Sequence, residues 1–137
     1  MPSFAELGDE TFVSLTTFRK SGEGVPTAVW VASMGEALIV ITQETAGKVK
    51  RARNNPRVEL VPCSVSGKVA PDAIAIEGSA EVITEPDRIL ELMRPLRAKY
   101  GLQFRVMMGS GRKPPTGRAI LRITPAVADA AVQRPTV

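Results

Sequence analysis

Between residues 11 and 42, three strand-like runs follow one another across connections too short for parallel pairing. Residues 11–18 (TFVSLTTF) are rich in β-branched and aromatic side chains, and residues 19–25 (RKSGEGV) carry the glycines, serine and charges of a loop. Residues 26–33 (PTAVWVAS) then read as the hairpin partner, and Met34-Gly35-Glu36 turns into residues 37–42 (ALIVIT), whose unbroken apolar run predicts a strand buried on both faces. A parallel crossover needs about a dozen or more connecting residues, so these strands must pair antiparallel.

Further along, residues 45–54 (TAGKVKRARN) lose the period-two pattern and read as a short cationic helix with Thr45 as its cap and Asn55-Pro56 as its stop. Residues 57–63 (RVELVPC) and 73–84 (AIAIEGSAEVIT) return to strand character, and Gly78 inside the second calls for a bulge or a close backbone approach. Thr84-Glu85-Pro86-Asp87 has the form of a helix start, and Ile89, Met93, Leu96 and Tyr100 mark one apolar face at helical spacing, with Pro95 kinking or splitting the helix. A glycine-, proline- and lysine-rich loop over 109–117 leads to a last alternating strand over 118–124 (RAILRIT).

The expectation is a mainly β fold: six antiparallel strands closed into a small barrel, with peripheral helices, because closure hides the sheet edges most economically. The 137 residues make one domain, with a core over about 8–124 and a weakly structured tail over 125–137. No run has the roughly 18 or more apolar residues of a membrane-spanning helix. Cys63 is the single cysteine, so no intrachain disulfide forms, and an unpaired thiol fits a reducing cytoplasm.

The chain has no histidine. Ser-His-Asp and Cys-His nucleophile systems and histidine-ligated metals are therefore excluded, and one cysteine supports no multi-cysteine metal site. Cys63, with no histidine to activate it, reads as a structural thiol. Glu59, Glu77 and Glu81 form no recognisable catalytic pair.

What stands out instead is residues 43–57 (QETAGKVKRARNNPR). Lys48, Lys50, Arg51, Arg53 and Arg57 face only Glu44 there, so this segment carries the whole chain's net charge of +4. It sits where an apolar strand meets a helix start with Gly47 in the first turn. Such a place can bind a phosphate through backbone N–H groups and cationic side chains, or it can simply be the solvated face of a surface helix. A nucleic-acid surface fits poorly, because none of the six aromatic residues lies within the run to stack a base. Trp30, the only tryptophan, can wall a flat ligand or pack in the core. The segment 105–112 (RVMMGSGR) reads as a ligand-side lid or as a hydrophobic plug.

The order of these features, VSLTTF, PTAVWV, a strand ending in VIT, then GKVKRARNNPRVEL and later IEGSA, resembles the flavin and deazaflavin oxidoreductases with the split β-barrel fold related to pyridoxamine 5′-phosphate oxidase. Within them it is most similar to the actinobacterial class B enzymes that use coenzyme F420. The resemblance spans roughly residues 8–124. It implies a homodimer with the cofactor ring in a cleft between subunits and the phosphate on the basic segment. Lys48 matches the phosphate-binding lysine, with Gly47 in the same turn and Lys50, Arg51 and Arg53 assisting at the phosphate or an acidic tail. Val29, Trp30, Ile41 and Thr42 match the strand positions beside the ring. The implied activity is hydride transfer between reduced F420 and an unsaturated or conjugated small molecule, with no catalytic side chain and no metal. FMN is the alternative cofactor, in an oxidase or reductase of the same fold or in a non-catalytic binding protein.

Overall fold

The computed structural model describes residues 3–108 and 116–126. Seven strands form one antiparallel sheet: β1 (Val13–Phe18), β2 (Gly24–Val29), β3 (Ala32–Met34), β4 (Ala37–Gln43), β5 (Arg57–Pro62), β6 (Ile76–Ile83) and β7 (Arg118–Pro125), in the order β2-β1-β5-β6-β7-β4-β3. The helices are α1 (Gly47–Asn54), α2 (Pro86–Leu92), α3 (Arg94–Tyr100) and α4 (Leu102–Met108), and a 3-10 turn over Ala5–Asp9 precedes β1.

The sheet is a split barrel, and the chain's own connectivity demands it. β2 and β3 are the two edges, yet β2 ends at Val29 and β3 begins at Ala32. Three Cα steps reach at most about 11 Å. Seven strands laid flat would hold those edges roughly 29 Å apart, so the sheet has to curl. Pro26, which has no N–H to give, lies in the edge strand β2, where a ladder tolerates it.

Seven strands replace the expected six because the run over 26–33 breaks at Trp30-Val31. There Val31 bonds side chains rather than a strand: its N–H donates to Tyr100 Oη at 3.0 Å, and its carbonyl accepts from Lys99 Nζ at 2.6 Å. Other bounds shift more simply. The helix cap is Ala46, and no side-chain bond from Thr45 forms it. The strand expected over 73–84 is Ile76–Ile83, and Pro95 splits the predicted helix into α2 and α3, standing in the first turn of α3. The segment 105–112 begins inside a helix, α4, that the sequence reading missed, while its remainder and the tail over 127–137 lie outside the described residues.

Alternation along β4 and β7 divides the apolar residues between two cores. Leu38, Val40, Leu121 and Ile123 point into the barrel with Val13, Leu15, Val58 and Leu60. Ile39 and Ile120 point outward, where Ile83, Ile89, Leu96 and Phe104 cover them. β4 is thus buried on both faces over Ala37–Val40, as its sequence predicts. Among the described residues no helix is long and apolar enough to cross a membrane.

Candidate functional site

The seam where β2 gives way to β3 is also where a cavity opens. It has a volume of about 270 Å³ and is lined by Phe12, Ala28 and Val29, by Trp30, by Ile41 and Thr42 at the end of β4, by Phe104 and Met107 of α4, and by Lys48 and Arg118. Among the described residues its walls are apolar and aromatic, and its charged groups, Lys48 and Arg118, are both cations. Such walls take a flat ring, while the cations take an anion attached to it.

Lys48 reaches this cavity from the first turn of α1. Its Nζ donates to Thr42 Oγ1 at 3.1 Å, which fixes the ammonium at the end of β4. Burial lowers its pKa from the ordinary lysine value, and the nearby Arg51 guanidinium lowers it further. A half-buried ammonium with one hydroxyl partner is electrostatically undersatisfied, and an anion would complete it. Arg118 enters from β7, which the sheet register places opposite Gln43, next to Thr42.

Trp30 occupies the break between β2 and β3 instead of the middle of a strand. It stacks on Tyr100 with ring centroids 4.4 Å apart and planes 11° from parallel, and it meets Phe104 at 6.2 Å. Two neighbouring side chains anchor the crossover that carries it. Tyr100 Oη donates to the Thr11 carbonyl at 2.7 Å, and Lys99 Nζ donates to the carbonyls of Gly8 and Val31, each at 2.6 Å. Burial lowers the Lys99 pKa and raises that of Tyr100.

Of the residues expected at a ligand, the structure brings Val29, Trp30, Ile41, Thr42 and Lys48 together. Gly47, Lys50 and Arg51 line a separate cleft of about 380 Å³ with Arg19, Lys20 and Asn54. Arg51 is tied to the barrel there, its Nε donating to the buried Thr17 Oγ1 at 2.7 Å. Arg53 is exposed and lines neither cleft. Arg57 turns to the outer sheet face, paired with Glu59 at 2.6 Å and Glu77 at 2.7 Å, so two of the carboxylates without a catalytic pairing belong to a surface ion cluster.

Phe12, Ala28, Phe104, Met107 and Arg118 also line the cavity and were not singled out in the sequence. Met107 lies in the 105–112 segment, and its position puts the start of that segment on the wall of this cavity. Cys63 is partly buried, and burial raises its pKa, as befits an unactivated thiol. Among the described residues no group of three His, Cys, Asp or Glu side chains is placed to hold a metal ion.

A curled antiparallel sheet with an aromatic, cation-bearing cavity at its seam defines a small-molecule-binding split barrel. The family profile described as pyridoxamine 5′-phosphate oxidase matches residues 4–130, and the chain belongs to that family, whose members are flavin-binding split barrels and generally oxidoreductases. Solved structures agree on the fold. A protein titled F420 reductase superposes with a TM-score of 0.60 at 22% identity, over 91% of this chain and 95% of that one. A conserved hypothetical protein from Mycobacterium tuberculosis gives 0.66 at 21% identity, over 91% and 81%. A pyridoxamine 5′-phosphate oxidase-related, FMN-binding protein from Nostoc punctiforme gives 0.59 at 14%, over 85% and 71%. Among curated proteins, none matches in sequence.

Proposed function

We propose that the seam cavity holds the ring of coenzyme F420 and that the protein transfers a hydride between the reduced deazaflavin and an unsaturated or conjugated small molecule. The observation that carries this reading is Lys48, half-buried and steered by Thr42 to the rim of an apolar aromatic cavity that also holds Arg118. Val29, Ile41 and Trp30 would flank the ring, and Lys48, with Arg118 beside it, would hold the phosphate.

When bound, the reduced deazaflavin supplies the hydride itself. The chain's own residues then have to bind, orient and exclude water, which histidine-free walls can do. FMN would use the same cavity. F420 is preferred because it adds a poly-glutamate tail to the phosphate, and the second cleft offers Arg19, Lys20, Lys50 and Arg51 to carboxylates. A cavity of about 270 Å³ is small for a whole cofactor, and a second subunit would complete it, in keeping with a homodimer. The unpaired Cys63 fits a reducing cytoplasm.

Fluorescence titration of the purified protein with F420 and with FMN tests the choice, and tighter binding of FMN would overturn it. Oxidation of reduced F420 by a panel of quinones, tetrapyrroles and enones separates an enzyme from a binding protein.

A further inference from the structure

α4 is built in an unusual way for a surface helix. Phe104 is fully buried and anchors it, yet Leu102, Val106 and Met107 are 74%, 77% and 67% exposed. These are three of the six exposed large hydrophobic residues among the described ones, gathered on a helix of seven residues. Apolar side chains scattered singly need no explanation, but a cluster on one short element does.

The cluster has a definite shape. With Gln103 and Trp30, these residues line a groove of about 360 Å³, and Trp30 and Met107 also line the seam cavity. The groove and the cavity are therefore contiguous across two shared side chains. Spacings of three and four residues put Leu102, Gln103, Val106 and Met107 on one helix face. Among the described residues no charged side chain lines the groove; its polar groups are the Gln103 amide, which offers an N–H donor and a carbonyl acceptor, and the Trp30 indole N–H.

We infer that this groove is the acceptor site: it receives an uncharged, planar, conjugated molecule beside the ring, with Gln103 available to a carbonyl of that molecule. This rests on the reading of the seam cavity as a cofactor site. The charge contrast supports the assignment, since among the described residues the cavity supplies Lys48 and Arg118 for an anionic cofactor and the groove supplies no charge. A charged acceptor would lose its hydration there without a partner, whereas an uncharged quinone or enone would bury its ring.

The single tryptophan makes the groove observable without turnover, because Trp30 lines it. Menadione, an uncharged naphthoquinone, should quench Trp30 fluorescence saturably, and it should leave bound F420 in place during equilibrium dialysis. Val106→Glu lies in the groove and outside the cavity; it should weaken menadione binding by about tenfold or more and leave cofactor affinity within about twofold. Val106→Leu should restore the quenching. Absence of saturable quenching, an unchanged menadione affinity in Val106→Glu, or displacement of the cofactor by menadione would overturn the assignment. So would a Val106→Glu variant that changes sedimentation from dimer to monomer, because a second copy would then cover the groove. Failure of the cofactor reading is seen separately, as loss of F420 and FMN binding by the unaltered protein.

Discussion

The rings of Trp30 and Tyr100 lie face to face, 4.4 Å apart, across the point where the barrel wall splits. The tyrosine acts on that point twice, stacking through its ring and bonding through its hydroxyl, which accepts the N–H of the fully buried Val31. The break that turns six strands into seven and the side chain that walls the cavity therefore share one support.

Tyr100→Phe keeps the ring and deletes the hydroxyl. It leaves the Val31 N–H without its partner, at a cost of about 1–3 kcal/mol. Urea unfolding followed by Trp30 fluorescence should show that loss, with little change in the folded-state emission because the stack survives. Wild-type stability would mean that Lys99 alone secures the crossover.

Lys48→Ala should weaken cofactor binding by about tenfold to a hundredfold, the range expected for a hydrogen bond to a charged group of roughly 1.5–3 kcal/mol. Its stability should change little, since the side chain is only half-buried and makes one hydroxyl bond. Unchanged affinity would place the phosphate elsewhere.

Binding should also weaken at alkaline pH. Burial foremost, and then Arg51, hold the Lys48 pKa below the ordinary 10.5, so the ammonium deprotonates earlier than a free lysine. An anion favours the ammonium, and affinity therefore falls as pH rises through the lowered pKa. Without ligand the sign is opposite. The unfolded chain holds this proton more tightly, so the group's contribution to stability rises with pH between the lowered value and 10.5. Titrations at increasing pH should show the fall in affinity for the wild type and lose it in Lys48→Arg.

Two neighbouring cations should separate cleanly. Lys50 is exposed on the second cleft, whereas Arg51 bridges α1 to the buried Thr17. Lys50→Ala should stay within about 0.5 kcal/mol of wild-type stability, and Arg51→Ala should lose about 1–2 kcal/mol. If the poly-glutamate tail lies in that cleft, both should weaken F420 more than FMN.

Local pattern made most strands legible and singled out Trp30 and Lys48, while Val29, Ile41 and Thr42 were reached through the family resemblance. β1, β4, β5 and β7 each carry their own alternation or apolar run, and Thr42 and Lys48 flank the strand end and helix start visible in VIT and GKVKR. The break at Trp30-Val31 was hidden, because β-forming residues continue through it and the bonds that end the ladder come from Lys99 and Tyr100 far along the chain. Helical rotation explains why the basic segment divides. Lys48 and Lys50 are only two residues apart in the chain but about 200° apart around a helix, so they serve different clefts. Arg118 joins Lys48 only through the β4–β7 register, which no local pattern encodes. Ser3 and Glu6, to which the sequence assigned no element, bond reciprocally at 2.7 and 3.2 Å ahead of the turn that carries Leu7 into the core.

Gly78 shows how one sequence expectation resolves into a number. Its pairings with Val58 and Pro125 stay in register on both sides, so the glycine marks close approach and not a bulge. A Cβ there would lie 2.8 Å from Ile123 Cγ2, 3.0 Å from the Thr124 carbonyl oxygen and 3.3 Å from the Phe4 ring. The isoleucine is buried in the barrel core and the oxygen belongs to the paired strand, so neither yields without moving β7. Gly78→Ala should therefore cost about 1–3 kcal/mol, as overpacking does, despite alanine's lower backbone entropy cost. The urea midpoint measures this. A variant as stable as the wild type would show that β6 and β7 separate easily, and the seam cavity, whose Arg118 stands on β7, would then be a softer site than its geometry indicates.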